Sequence, residues 1–313
     1  MANVSAQPRI NSSARPVNAQ ARYRSIFTPS TREERAANFK SYLAHLEAQD
    51  GEVIVEERDL AVRRARRARI QANPVRARRP LPDPARFHRN ALRLRDDPRS
   101  LDRRTLLATF LYKFAWHEWI GISTAWDALP VMGEPDPTIE RINLYHLCEE
   151  FSHMRLFLEM FRTLHLEAEL APPGKWTGRM YRVFCRLPGS ILAPPAFITE
   201  LMGLTVYRHL DRLLDDVLAD EPEARERIRE LLLEIMTDEL AHVGERRNFL
   251  GPVGVRAARA MLAPMYRMFF RDLPETRILF DFKQMIEDGR TFDYSKIPAD
   301  VIGRSWVPSY CRA

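Results

Sequence analysis

Two Glu-x-x-His pairs, each preceded by a lone glutamate some 30 to 40 residues earlier, constrain this chain more than any other feature. Glu118, then Glu150 with His153, then Glu200, then Glu239 with His242 follow one another in that order. A Glu and a His three residues apart project from one face of a helix, so each pair offers an oxygen and a nitrogen to the same point. Two such pairs and two further glutamates are the ligand set with which a four-helix bundle holds two metal ions. Four carboxylates balance two divalent cations while the imidazoles stay neutral, and a mixed oxygen and nitrogen shell suits iron or manganese better than soft metals.

The expected helices carry these residues in register. Four long segments are expected at about 101–128 with Ser100 as cap, 136–165 opened by Asp136-Pro137, 195–218 after Pro194-Pro195, and 220–250 opened by Asp220 and Glu223 as a capping box. Glu200 stands 18 residues before Leu218 and Glu239 stands 18 after Glu221, so each lies about 27 Å from the shared turn at about 1.5 Å per residue. In the first hairpin Glu118 and Glu150 lie at roughly 15 and 20 Å from theirs. Both hairpins repeat the same pattern of Glu followed by Glu-x-x-His.

These residues also interrupt apolar stripes. Ile228, Leu232 and Ile235 lead into Glu239 and His242, while Ile139, Ile142, His146, Glu150, His153, Phe157 and Phe161 share one side of the second segment. Glu118 follows Leu107, Leu111 and Phe114, and Glu200 lies between Phe197 and Leu204. Four ionised carboxylates pointing into a core need a strong counter-charge, which metal ions supply. Candidate walls of a substrate pocket one turn from the ligands are Phe114, Ile122, Phe157, Phe197, Leu204, Tyr207, Ile235 and Met236.

Outside the bundle the charge is uneven. Residues 1–100 carry 21 basic and 11 acidic side chains, whereas 101–250 carry 17 and 24. The arginines cluster at Arg63, Arg64, Arg66, Arg67 and Arg69. Such a run fits nucleic acid, an acidic carrier protein or the acidic face of the chain's own bundle. No groove-reading motif or zinc module accompanies it, which argues against nucleic acid. The acid-free start resembles a transit peptide but also fits a wrapping arm, which is the preferred reading. Three cysteines, Cys148, Cys185 and Cys311, give no paired spacing, so unpaired thiols in a reducing, cytoplasmic setting are expected. Arg186 and Glu200 interrupt the longest apolar region, and no membrane span is expected. The expected layout is an Arg-rich arm with a short helix at 31–50 and an extended connector at 73–99 (residues 1–99), a di-metal helical bundle (100–272) and a C-terminal extension (273–313).

Residues 101–250 resemble the ferritin-like di-iron carboxylate superfamily, especially its oxidase and oxygenase branch. Glu149-Glu150-Phe151-Ser152-His153 and Asp238-Glu239-Leu240-Ala241-His242 are similar to the acid-Glu-x-Arg-His motifs of soluble acyl-carrier-protein desaturases. The resemblance implies that Glu149 and Asp238 orient the metal-bound imidazoles. Ser152 and Ala241 stand where that family has arginine, a departure that tells against desaturation itself. His146, one turn before Glu150, resembles the extra histidine of arylamine N-oxygenases and is a candidate seventh ligand, although theirs precedes the second motif, where this chain has Ile235.

The resemblance implies an all-α, ferritin-like four-helix bundle with flanking helices. It further implies a dioxygen-activating non-haem di-iron oxidase or monooxygenase, with two iron ions (Fe/Fe ahead of Mn/Fe), dioxygen as co-substrate and an external electron donor. The expected substrate is a small amine, aromatic or acyl compound, free or carried by an acidic carrier protein. A homodimer is the expected assembly. The alternative is a ferroxidase or iron-storing protein, against which the roughly 100 residues before the bundle and 60 after it weigh.

Overall fold

In the computed structural model, residues 23–132, 136–172, 174–184 and 186–313 are described. The first 22 residues of the expected arm, and Cys185, lie outside them. Thr31 opens α1 (Arg32–Asp50) as a capping box, its hydroxyl accepting from Glu34 N while the Glu34 carboxylate accepts from Thr31 N. Gly51, at φ 70°, ends it in a conformation that favours glycine. Two short antiparallel strands, β1 (Val53–Ile54) and β2 (Asp59–Leu60), turn the chain into α2 (Ala61–Ala72).

The stretch expected as an extended connector contains α3 (Pro84–Asn90). Asp83 accepts from Arg86 N and Pro84 takes the first helical position, which starts a helix despite the proline-rich composition. The long helices follow: α4 (Arg103–Met132), α5 (Pro137–Thr163), the short α6 (Lys175–Phe184), α7 (Gly189–Val217) and α8 (Pro222–Asn248). Then come α9 (Pro252–Phe269), α10 (Thr276–Leu279), α11 (Phe282–Arg290) and α12 (Ala299–Arg304). The described residues are all-α apart from the two short strands.

Several helix ends differ from expectation for local reasons. Asp102, not Ser100, caps α4, accepting from Arg104 N and Thr105 N. Asp136 and Pro137 start α5 as expected. Helix α7 begins at Gly189 and so contains Pro194 and Pro195 in its second turn, where proline's fixed φ is already helical and the loss is confined to two ladder bonds. Asp220 and Glu223 form no capping box, because α8 starts at Pro222 with Glu221 at the cap position, which leaves Asp220 one residue outside; Asp220 instead meets Arg79 and Arg104, and Glu223 meets Arg78.

Contacts between the long helices give their order and direction. Between α5 and α8, His146 lies near Glu245, Glu149 meets His242, and His153 meets Asp238; one number rises as the other falls, as in antiparallel neighbours. Asp211 and Asp215 meet Arg229, and Asp215 also meets Arg225, across α7 and α8 in the same sense. Phe114 against Phe157 and Tyr112 against Phe161 align α4 and α5 likewise. Tyr207 closes the ring by touching both Phe114 and Glu118. In chain order the four run up, down, down, up, with the crossover at 164–188 carrying α6.

The remaining segments lie on this frame. Helix α9 packs on α7, while α1 and α2 pack on α5 and α1 also on α8. The C-terminal tail crosses α8 so closely that a Cβ at Gly244 would stand 2.8 Å from Pro308 Cδ. Tyr23 bridges to Arg312 and Ser25 to Asp293, which joins the two ends of the described chain. Among the described residues α7 alone is long and apolar enough to cross a membrane by length and composition, although the sequence shows no uninterrupted span. Half of its most apolar window is buried inside the fold, and it carries Glu200.

Candidate metal centre

Helices α4, α5, α7 and α8 each bring their glutamate or Glu-x-x-His pair to the space between them. Two groups of close donors result: His146, Glu150, Glu200 and His242, and Glu150, His153 and Glu239, with the offered atoms of each group within 4.8 Å of one another. Glu150 belongs to both. Its Oε1 lies 3.1 Å from His242 Nδ1 and its Oε2 lies 3.4 Å from His153 Nδ1. His153 Nδ1 is also 3.4 Å from Glu239 Oε1, and His242 Nδ1 is 3.9 Å from Glu200 Oε2. Such separations suit donors that share an ion bound at about 2.0–2.2 Å. Glu118 falls in neither group. Its Oε1 accepts from the Tyr207 hydroxyl at 2.6 Å, and its Oε2 is buried without a partner.

The two histidines are turned in a consistent way. His153 Nε2 donates to Asp238 Oδ2 at 3.0 Å, and His242 Nε2 donates to Glu149 Oε2 at 2.9 Å. Each acid holds the ring on the opposite helix, so the two pairs cross between α5 and α8. The other nitrogen of each ring, Nδ1, is buried among carboxylates without a hydrogen-bond partner. A metal-binding imidazole is built this way, with one nitrogen fixed by an outer carboxylate and the other left for the ion. The donor set fits a cation on that ground.

Electrostatics point the same way. Burial, then Glu239 and Glu150, push the Glu118 carboxyl well above the carboxylate range, and burial with the same two neighbours raises Glu200 to about 8. Burial and Glu150 raise Glu239. Burial works against the charged forms of His153 and His242, yet Glu150 and the outer acids hold both rings well above the usual histidine range. Burial likewise opposes charge on Glu150, but His153 and His242 bring its carboxyl well below its usual range. Among the donors themselves protons are the only counter-charge, and Arg246, with its Nε 3.7 Å from Glu200 Oε1, is the cation beside them.

His146 sits at the edge of the first group. Its Nε2 lies 3.6 Å from both Glu150 Oε1 and Glu200 Oε1, and its ring stacks on His242 with centroids 3.8 Å apart. Burial, then the neighbouring His242, hold it well below the usual histidine range, so it is a neutral ring. Glu245 and Arg246 stand behind it: Glu245 is fully buried, 3.8 Å from His146 Nδ1, and Arg246 Nε is 3.2 Å from Glu245.

The residue that sequence reasoning did not single out is Arg63 on α2. Its guanidinium meets Asp238, Glu149 and Asp50, all buried. It therefore ties together the two acids that hold the two histidines, from a helix outside the ring of four. Ser152 and Ala241 leave the motifs without an arginine of their own, and that vacancy was the only available signal; nothing in the run around Arg63 ranks it above its neighbours. Three more arginines of the run are also engaged within the chain. Arg66 meets Glu234, Arg67 meets Asp59 and Arg64 meets Glu57. Of the three partners weighed for it, the chain's own acidic residues are the ones that Arg63, Arg64, Arg66 and Arg67 meet.

The eight expected pocket walls are all buried in the main core. Tyr207 touches the site directly, through Glu118. Phe114 and Phe157 pack beside Tyr207, while Phe197 packs on Phe27. None of the eight lines either of two cavities on the described residues. One of about 170 Å³ reaches Glu149, Asp238 and Arg63 from the side of α1. Cys148 and Cys311 are free and buried, and burial pushes both thiols up to about 12. Comparisons with protein-family models, curated proteins and solved structures give no match to this chain.

Proposed function

We propose that the chain is a ferritin-like, dioxygen-activating non-haem di-iron oxidase or monooxygenase acting on a small organic amine, aromatic or acyl substrate. The observation that carries this reading is the pair of buried, unpartnered Nδ1 atoms of His153 and His242, each facing Glu150 while its Nε2 is held by an acid. The up, down, down, up course with one long crossover supports it, since ferritin-like bundles have that connectivity. Glu150 serves both donor groups, and Glu118, Glu200, Glu239 and His146 complete the candidate set. Two iron ions held there would supply a pair of electrons to dioxygen.

The chain's own residues set the conditions. Asp238 and Glu149 fix both rings, and Tyr207 holds Glu118 by donating a proton in a hydrogen bond. Phe114 and Phe157 keep water from the Glu118 side. An iron-storing subunit needs bundle faces free to tile a shell. Here α1 and α2 cover α5, and α1, α12 and the tail cover α8, which favours an enzyme over a store.

The test is metal analysis of protein from iron-fed cells, followed by anaerobic reduction and mixing with oxygen. About two irons per chain and rapid oxygen consumption limited to the bound iron are expected. Protein that remains iron-free refutes the reading, and continued uptake of iron into a mineral transfers it to the storage class.

A further inference from the structure

The crossover between α5 and α7 is unlike the rest of the surface. Of the twelve large apolar side chains exposed among the described residues, five fall between residues 176 and 191, on α6, the turn after it and the first turn of α7: Trp176 (78%), Met180 (55%), Val183 (65%), Leu187 (38%) and Ile191 (57%). Trp176, Met180 and Val183 are spaced by four and three along α6, so they share one face. Lys175, Arg179 and Arg182 each precede one of them by a single residue and form a second, adjoining stripe, which Arg186 extends. All four basic side chains are exposed, and residues 170–199 contain no Asp or Glu. Many arginines elsewhere in this protein meet neighbouring acids, as Arg63, Arg67 and Arg229 do; here there are none in the local sequence.

We propose that α6 and the turn after it form a docking surface for an anionic lipid bilayer, lying in the plane of the headgroups. An interfacial helix has this construction, with a tryptophan and aliphatic side chains on one face and basic side chains beside them. The apolar face of α6 from Trp176 to Val183 covers about 10 Å at helical rise, and Leu187 and Ile191 add exposed apolar side chains beyond the turn. Charge complementarity selects the occupant. A second copy of this chain docked symmetrically would set two basic stripes against each other, whereas anionic headgroups meet the arginines as the apolar face enters the acyl boundary. The surface is independent of the metal reading, because none of its residues touches the donor groups.

The full-length protein is floated with vesicles of neutral phosphatidylcholine and of phosphatidylcholine containing about a quarter phosphatidylglycerol. The expected result is flotation with the anionic vesicles only, weakened by high salt. The W176A/M180A/V183A variant and the R179E/R182E variant should each lower apparent vesicle affinity by roughly tenfold or more. Their side chains are exposed, so unchanged helicity and metal content serve as the control for folding. Failure of the parent protein to float overturns the proposal, and so does flotation that both variants retain. Binding to an acidic carrier protein without vesicle binding, or self-association abolished by W176A/M180A/V183A without vesicle binding, overturns it in favour of that partner.

Discussion

Glu150 is the residue on which the two donor groups depend together, because its two oxygens face different histidines. His153, by contrast, belongs to one group only. Truncation at the two positions should therefore differ in stoichiometry as well as degree. Glu150→Ala is expected to lose nearly all bound iron, whereas His153→Ala retains about one ion per chain, held by His146, Glu200 and His242 with Glu150. Plasma mass spectrometry of the two purified variants reads the ratio directly. Equal iron in both variants would show that Glu150 is not shared. The inward direction of these residues was legible because each interrupts an apolar stripe at helical spacing. The outward half was legible only by resemblance: Glu149 and Asp238 are ordinary acids in a Glu-rich chain until His242 and His153 are placed against them.

At the scale of elements, α2 reaches the metal-site acids through one side chain. Arg63 enters between Asp50 of α1, Glu149 of α5 and Asp238 of α8. Removing a buried charge leaves its partners uncompensated, which costs about 3–5 kcal/mol. Arg63→Met is expected to lower stability by that order in denaturant unfolding and to weaken iron retention. Arg64→Met, at an exposed pair with Glu57, should change neither by more than about 0.5 kcal/mol. Indistinguishable unfolding of the two variants would remove Arg63 from its structural role. The helices themselves were largely readable, since capping signals such as Thr31 with Glu34 and Asp136 with Pro137 act locally. Misreadings arose where a distant partner competed. Asp220 and Glu223 have the spacing of a capping box, but α8 starts one residue later at Glu221, whose carboxylate accepts from Arg78 N, Arg79 N and the Arg104 guanidinium. Likewise α3 forms in a proline-rich stretch because its prolines fall outside the helix interior.

For the molecule as a whole, the buried acids make stability depend on pH in opposite ways with and without metal. Burial raises Glu149 and Glu200 to about 8, helped at Glu149 by Asp238 and Asp50 and at Glu200 by Glu239 and Glu150. Unfolded glutamates titrate near 4.5. Between those values the folded chain holds protons that the unfolded chain has released, so folding stability falls as pH rises. His153 and His242, held well above 6.5, contribute in the same direction: their stabilisation is complete below 6.5 and is lost as pH climbs through their raised values. Glu150 and Asp238 act oppositely, being lowered, but their effect belongs to the acid side of the carboxylate range. The metal-free protein should therefore be most stable near mildly acidic pH and weaken as pH rises from about 4.5 to about 8, with His153 and His242 adding to the loss above 6.5. Cations in the two donor groups favour ionised carboxylates and neutral imidazoles, so loading releases protons and its contribution grows over the same interval. Denaturant unfolding at about pH 6 and about pH 8.5, with chelator and with anaerobic ferrous iron, separates the cases. A chelated protein that gains stability across that interval would contradict the buried-acid account, and an iron effect no larger at the higher pH would contradict the assignment of those acids as ligands.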